Sequence, residues 1–235
     1  MIHSLIIMGG GYGSYFLLII IGIIGWLVQN RLKNKFEYYG KIKLKKGYTG
    51  AEVAQMMLED NGITDVKVIS TSGYLTDHYH PVKKTVNLSE PVYNSNSIAA
   101  VAVAAHECGH AVQHARAYPW LKMRSALVPV VQFSSSMVTW ILIAGILLIK
   151  SFPQLLLLGI ILFAVTTLFS FITLPVEYDA SVRAKKWLIE KGIVDTEESK
   201  GVADALKWAA RTYVVAALSS LATLLYYLQI YNSRR

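Results

Sequence analysis

The run IAAVAVAAHECGHAVQH, residues 98–114, decides how the rest of the chain is interpreted. It is rich in alanine and contains no proline, a composition that predicts a buried helix. Positions four apart share one face of a helix, so the imidazoles of His106 and His110 would lie side by side. Two histidines at this spacing can bind one Zn²⁺.

Glu107 completes a pattern that points to hydrolysis. A carboxylate beside two metal-binding histidines can take a proton from water and later pass it to a leaving amine. Short patterns of this kind also occur by chance. Here the helical context, the small residues around the motif, and the free-energy penalty of burying two histidines and an acid all favour a functional site. The motif therefore predicts a zinc hydrolase, and a peptidase in particular.

The composition is that of a membrane protein. Of 235 residues, 54% are hydrophobic and only 16% are charged, which favours an integral membrane protein over a soluble enzyme. The net charge of +8 comes from basic residues beside apolar segments. This pattern is typical of cytoplasmic flanks and indicates the lipid bilayer, with no nucleic acid, as a partner. A single cysteine excludes an internal disulfide.

Long apolar segments divide the chain. Residues 1–30 hold the first predicted transmembrane segment, residues 126–174 a transmembrane hairpin, and residues 213–231 a further segment predicted to span. Basic residues after the first segment place the residues that follow in the cytoplasm. Four spans would put both termini outside, although Arg234 and Arg235 run against that charge rule.

The cytoplasmic lobe is predicted to cover residues 31–125, with cytoplasmic helices again over residues 175–212. Residues 49–52 form a capping box, and Gly62 ends the helix that they start. Residues 66–69 and 85–88 alternate like strands, with residues 73–81 between them. We expect a small sheet leading to a zinc helix over 98–118. An edge strand there could hold an extended peptide or serve only the fold.

A catalytic zinc needs three protein ligands and an open position for water. Glu177 is the best candidate for the third ligand. It lies where a predicted span meets the cytoplasm, and an acid so close to an apolar segment needs a partner. Asp179 is less favoured, since a pair with Arg183 one turn later is a sufficient reason for it.

Other candidate ligands fit less well. His114 lies two turns from His106, about 12 Å along the helix axis. We expect it to orient a neighbour, to face substrate, or to be a plain surface histidine. Cys108 is rotated about 200° from His106 and points away from the metal face. His78 and His80 lie on another element and are expected to be loop histidines.

Two motifs carry a resemblance to known families. HECGH at residues 106–110 with EYDAS at 177–181 resembles the gluzincin membrane metallopeptidases of the HtpX and CAAX prenyl protease group. LTDHYHP at 75–81, AAHECGHAVQ at 104–113 and PVEYDAS at 175–181 resemble the YugP family of bacterial membrane zinc metallopeptidases, over nearly the whole chain. In the broader group an Asp stands where this chain has Ser181 and hydrogen-bonds a zinc histidine. Whether Asp179 compensates is left open by the sequence.

The resemblance implies Glu177 as ligand and proteolysis facing the cytoplasm of a bacterial cell membrane. The expected fold is a mainly α membrane protein, with about four transmembrane helices and a zincin-like α+β lobe. The expected function is that of a zinc endopeptidase acting on peptides or membrane proteins, with quality control implied by the resemblance alone. One Zn²⁺ per chain would be held by His106, His110 and Glu177, with Glu107 as general base.

Three competing functions remain for comparison. A zinc-binding membrane scaffold or chaperone-like factor would keep the helix without hydrolysis, but would not need Glu107. A site-2-type intramembrane protease draws an aspartate ligand from within a span, and the apolar segments here contain no acid. A transporter would need buried charges in its spans. The residue that stabilises the oxyanion is left open among His114, Tyr178, Arg211 and Tyr213.

Overall fold

The structure is a computed structural model that describes residues 2–233, with side chains from Phe16 onward. Arg234 and Arg235, which bear on the predicted outer C-terminus, lie outside the described residues. The helices are α1 Ile2–Gly40, α2 Gly50–Asp60, α3 Glu90–Tyr93, α4 Ile98–Ala115, α5 Pro119–Leu147, α6 Pro153–Glu190 and α7 Thr196–Ser233. The strands are β1 Lys67–Thr71, β2 His78–His80 and β3 Thr85–Ser89.

The chain divides into two compact units. The first, here called the helical unit, comprises the residues up to Val28, Met123–Leu174 and the residues from Thr212. The second, here called the mixed unit, comprises Gln29–Lys122 and Pro175–Arg211, and contains the whole sheet. Every residue of the motif at 106–110, together with Glu177, belongs to the mixed unit.

The prediction of about four apolar helices is confirmed. Within residues 16–233, four helices are long and apolar enough to cross a membrane: Phe16–Gly40, Pro119–Leu147, Pro153–Glu190 and Thr196–Ser233. Their outward surface carries large apolar side chains, with Trp140 73% and Leu147 77% exposed. Such a surface is unfavourable in water and suits the hydrocarbon of a bilayer.

Small residues allow α5 and α6 to pack closely in the helical unit. A Cβ on Gly145 would lie 2.6 Å from the Cα of Leu156, and one on Gly159 would lie 2.8 Å from the Leu142 side chain. Close backbone approach at glycine is how helices associate where no water drives them together. The short connection at residues 148–152 makes the two helices neighbours in sequence as well.

The core of the mixed unit lies between α2, α4 and the sheet. Val53, Met57 and Leu58 of α2 are buried in one cluster with Val101 of α4 and Val86 of β3. The predicted capping box is confirmed, since Thr49 accepts a bond from the Glu52 amide while the Glu52 carboxylate bonds the Thr49 amide. Gly62 has φ +71° and ends α2 as predicted.

The sheet has the strand order β1-β3-β2, with β1 parallel and β2 antiparallel to β3. Both strands that the sequence predicts are present, within about two residues of the expected bounds. The expectation that His78 and His80 lie in a loop is wrong, because they begin and end β2. Three residues are too few for an alternating pattern, so pairing with β3 alone defines this edge strand.

Helix α4 ends at Ala115, three residues before the predicted end at 118. Ala117 has φ +53°, and the Tyr118 amide donates to the Gln113 carbonyl at 2.9 Å. These are the features of a Schellman cap, which normally places glycine in the left-handed position. The sequence offers no glycine there, so the early end could not be recognised.

We expect Ala117→Gly to stabilise the mixed unit. A left-handed residue other than glycine costs about 1–2 kcal/mol, and glycine returns about 0.5–1 kcal/mol of that through its greater freedom when unfolded. The net gain in the free energy of unfolding should be about 0.5–1 kcal/mol. It can be read as a higher melting temperature of detergent-purified protein. Ala115→Gly, at the last residue of α4 and outside the left-handed position, is the matched control and should lower the melting temperature. The same sign for both variants would contradict the cap.

Candidate metal centre

Three side chains from α4 and α6 converge at one point. The Oε2 atom of Glu177 lies 3.3 Å from Nε2 of His106 and 3.5 Å from Nε2 of His110. The ligand atoms of the three residues all lie within 4.8 Å of one another. Glu177 is 3% and His110 7% exposed, so the group is largely shielded from water. The helix spacing that the sequence predicts does bring the two imidazoles together, with ring centroids 4.8 Å apart.

These distances fit a zinc ion. Nitrogen and carboxylate ligands lie about 2.0–2.2 Å from Zn²⁺, so two ligands at a tetrahedral angle are about 3.3–3.5 Å apart. The two distances from Glu177 Oε2 fall in that interval. Two nitrogens and one oxygen also match the donor set of catalytic zinc, which leaves the fourth position open.

The second nitrogen of each imidazole is also held. His110 Nδ1 lies 3.0 Å from Gln113 Oε1, and His106 Nδ1 lies 3.1 Å from Ser181 Oγ. Because an amide oxygen only accepts, Nδ1 of His110 must carry the proton, which leaves a lone pair on Nε2 of the neutral ring. That lone pair faces the carboxylate of Glu177, an arrangement that calls for a cation between the two atoms.

Gln113 connects the two helices and is 0% exposed. Its Nε2 donates to the Val176 carbonyl at 2.7 Å and to Asp179 Oδ2 at 2.8 Å. Both partners only accept, so the orientation of the amide is determined by the network. Asp179 is in turn paired with Arg183 at 2.5 Å, as the sequence predicts. Hydrogen bonds thus run from His110 through Gln113 and Asp179 to Arg183, and they hold the His110 ring in one orientation.

Gly109 sets the separation of the two helices. A Cβ at this position would lie 2.6 Å from the Ala180 carbonyl oxygen and 3.1 Å from the Ala180 Cα. Both are backbone atoms, which cannot move aside as the end of a side chain can. Gly109 lies between the two histidines in sequence and Ala180 lies one turn beyond Glu177, so this contact governs the spacing of the whole group.

Glu107 lies beside the group and is bound differently. Its Oε2 accepts the backbone N–H of Tyr79 at 2.9 Å, and the residue is 8% exposed. Tyr79 is the middle residue of β2, and its hydroxyl bonds His114 Nδ1 at 2.7 Å. The edge strand thus restrains the carboxylate and leaves Glu107 Oε1 with no protein partner among the hydrogen bonds described for the chain.

The electrostatics of the group are dominated by Glu177. Burial opposes the charged form of His110, but the carboxylate of Glu177 outweighs burial and leaves the pKa of this imidazole raised. A site that attracts a proton in this way also attracts a metal cation. Burial raises the pKa of the Cys108 thiol as well, so this residue is an inert thiol rather than a ligand.

The remaining candidates lie apart from the group. Cys108 points away as predicted, and its thiol donates to the Ala54 carbonyl at 3.4 Å. His114 orients Tyr79, which is one of the roles left open for it. His78 Nδ1 lies 2.8 Å from the Thr76 carbonyl, and His80 Nδ1 accepts the Lys83 amide at 3.2 Å.

Among the possible oxyanion donors, Tyr178 is 68% exposed and the Arg211 guanidinium lies 4.2 Å from the centre of the Trp208 ring. Tyr213 belongs to the helical unit.

Sequence reasoning missed two residues that support the group. Gln113 stands three residues after His110, a spacing that places both on one helix face and could have drawn attention to it. The sequence marks Ser181 only as a replacement for an Asp, yet its hydroxyl lies 3.1 Å from Nδ1 of His106. Asp179 is linked to the other histidine, His110, through Gln113.

We expect Gly109→Ala to weaken Zn²⁺ binding about tenfold or more. The added methyl must push α6 away from α4, and zinc sites tolerate only about 0.2 Å of change in ligand distance. Zinc affinity can be measured by competition with a chromogenic chelator. Gly22→Ala is the matched control, since a Cβ there meets nothing within 4 Å. Unchanged affinity in Gly109→Ala would show that the contact with Ala180 does not set the ligand spacing.

Gln113→Leu is expected to lower zinc affinity about 10–100-fold, the usual effect of losing a residue that orients a ligand. The variant leaves the buried His110 N–H without its acceptor and removes one hydrogen bond each from the Val176 carbonyl and from Asp179, which keeps its pair with Arg183. Gln55→Leu, on the exposed face of α2, is the matched control. The same chelator titration distinguishes the two, and equal affinities would remove Gln113 from the metal centre.

Comparison with known proteins agrees with this geometry. Residues 14–232 match the family described as "Putative neutral zinc metallopeptidase". The chain is 44% identical over 215 residues to "Putative membrane protease YugP" of Bacillus subtilis (strain 168), covering 92% of this chain and 94% of that protein. No solved structure gives a significant match. The chain belongs to this family of neutral zinc metallopeptidases.

Proposed function

We propose that the protein is a membrane-bound, zinc-dependent endopeptidase. The observation that carries this proposal is the convergence of His106, His110 and Glu177, with the carboxylate of Glu107 on the next residue of the same helix. Family membership and the name of the relative from Bacillus subtilis support it. Zinc binding alone does not need Glu107, whereas hydrolysis does.

In this proposal His106, His110 and Glu177 hold one Zn²⁺ per chain. When bound, zinc lowers the pKa of a water towards about 7 and polarises the scissile carbonyl. Gln113 keeps His110 in the tautomer that directs Nε2 at the metal, and the Ser181 hydroxyl lies 3.1 Å from Nδ1 of His106. The charge of Glu177 balances part of the charge of the ion in a shielded site.

Glu107 is the proposed general base. Its Oε2 is held by the Tyr79 amide, so the carboxylate has one oxygen fixed and the other available for a proton. Glu107 takes a proton from the attacking water and delivers it to the leaving amine as the peptide bond breaks. Glu107 is only 8% exposed, so bulk water is largely excluded from the carboxylate that acts as the base.

We further propose that the mixed unit is a zincin-like lobe facing the cytoplasm of a bacterial cell. Its first residues carry Arg31, Lys33 and Lys35 in the last turns of α1, and Lys41 and Lys43 directly after that helix. Such a cluster favours the cytoplasmic side of the membrane. Peptides or membrane proteins on that side are the proposed substrates, and quality control of membrane proteins is the role that the family resemblance implies.

The roles can be separated in detergent-purified protein by zinc content and by cleavage of casein. Glu107→Gln is expected to keep about one zinc per chain and to lose cleavage by about 10²–10⁴-fold, the typical contribution of a general base. Glu177→Ala is expected to lose both. Glu197→Gln, a change of charge at an exposed site on α7, is the control and should keep both. Cleavage by Glu107→Gln at the wild-type rate would remove Glu107 as the general base, and a wild type that binds zinc without cleaving casein would leave a zinc-binding scaffold as the function.

A further inference from the structure

A cavity lies in the mixed unit, next to the first half of α4. Its volume is about 420 Å³, within the size range of ligand sites in proteins. Residues of α1, of the loop before β2, of α3 and of α4 line it. Its apolar lining includes Phe36, Tyr74, Leu75, Val92, Ala99 and Val103.

The cavity shares a helix face with the metal centre. Ala99, Val103, His106 and His110 follow one another at intervals of four, three and four residues, which keeps them on a single stripe of α4. Val103 precedes His106 by about 4.5 Å along the axis and Ala99 by about 10.5 Å. The cavity therefore begins about one turn from the histidines.

The edge strand leads to the same place. Asp77 lines the cavity and directly precedes β2, while Tyr79, two residues later, donates its N–H to Glu107. An extended peptide advances about 3.3 Å per residue. A peptide bond held at Glu107 would thus bring a side chain one to three residues away to the cavity.

Asp77 and Ser97, two polar residues of the cavity wall, are already bonded within the protein, and Glu37 and Lys41 add one charge of each sign to that wall. The Asp77 carboxylate accepts the Ser89 amide at 2.7 Å and the Ser89 hydroxyl at 3.0 Å. The Ser97 hydroxyl accepts the Ala100 amide at 3.2 Å and caps α4. Burial raises the pKa of the Asp77 carboxyl in spite of its hydrogen bonds. What remains to face an occupant is mainly apolar surface.

Leu75 supplies an independent observation. It has φ +58°, in the left-handed region where a bulky residue is uncommon and asparagine or glycine would fit at lower free-energy cost. Its side chain is 46% exposed at the cavity, so burial in the core does not account for it. Strained residues of this kind concentrate at binding sites.

We propose that this cavity is a specificity subsite that receives a large apolar side chain of the substrate, such as leucine, methionine or phenylalanine, one to three residues from the cleaved bond. The proposal rests on the proposed peptidase function and adds the class of substrate. Moving such a side chain from water to the cavity is worth about 10- to 100-fold in kcat/KM.

The test begins with the bonds that wild-type protein cleaves in casein, which should show large apolar residues enriched at one position near the cleaved bond. Two peptides that differ only there, leucine against alanine, then give kcat/KM. Leu75→Asp should lower the value for the leucine peptide about tenfold or more and change the alanine peptide less than about twofold. Val82→Asp, an 86% exposed site outside the cavity lining, should change neither.

Val103→Phe, which fills the cavity from α4, should shift preference in the same direction as Leu75→Asp. An equal loss for both peptides, or an unchanged set of cleaved bonds, would overturn the subsite. The peptidase function would still stand if cleavage depended on Glu107. A peptide carrying benzoylphenylalanine at the enriched position, irradiated with Glu107→Gln, gives a readout without hydrolysis. Cross-links to Tyr74, Leu75 or Val103 are expected, and cross-links elsewhere would overturn the proposal.

Discussion

The close approach of α4 and α6 at Gly109 and Ala180 is the contact on which the metal-binding group depends. No side chain separates the two backbones there, since a single Cβ would lie 2.6 Å from the Ala180 carbonyl oxygen. At this separation the carboxylate of Glu177 on α6 reaches two imidazoles of α4 at 3.3 and 3.5 Å. Small residues therefore serve here to set the distance between polar groups, and not only to fill a core.

Polar groups around the histidines form a nearly complete set of partners. Gln113 uses its oxygen for His110 and its two amide protons for Val176 and Asp179. The Ser181 hydroxyl, which can donate or accept, lies 3.1 Å from Nδ1 of His106. A buried network is stabilising only when every member is satisfied, because an unpaired group in a medium of low dielectric is costly. The convergent Nε2 and carboxylate atoms then form a group of donors that suits a cation.

Much of the fold and part of the site could be predicted from the sequence. Helical spacing was enough to pair His106 with His110, and an acid at the end of an apolar segment was enough to select Glu177, whose role as ligand stays a prediction. The role of Gln113 could not be predicted, because its partners on α6 are more than 60 residues away and depend on packing. The strand β2 has three residues and is defined only by its pairing, so no local pattern marks it.

The separation of the metal-binding residues along the chain has a consequence for synthesis. Glu177 follows His106 by 71 residues, and the ribosome must add all of α5 and more than half of α6 after α4 is finished. A growing chain therefore carries both imidazoles and the proposed base long before it carries the anionic ligand. The proposed centre is therefore completed late in translation. A truncated chain that ends before Glu177 would lack the anionic ligand and would not hydrolyse nearby proteins.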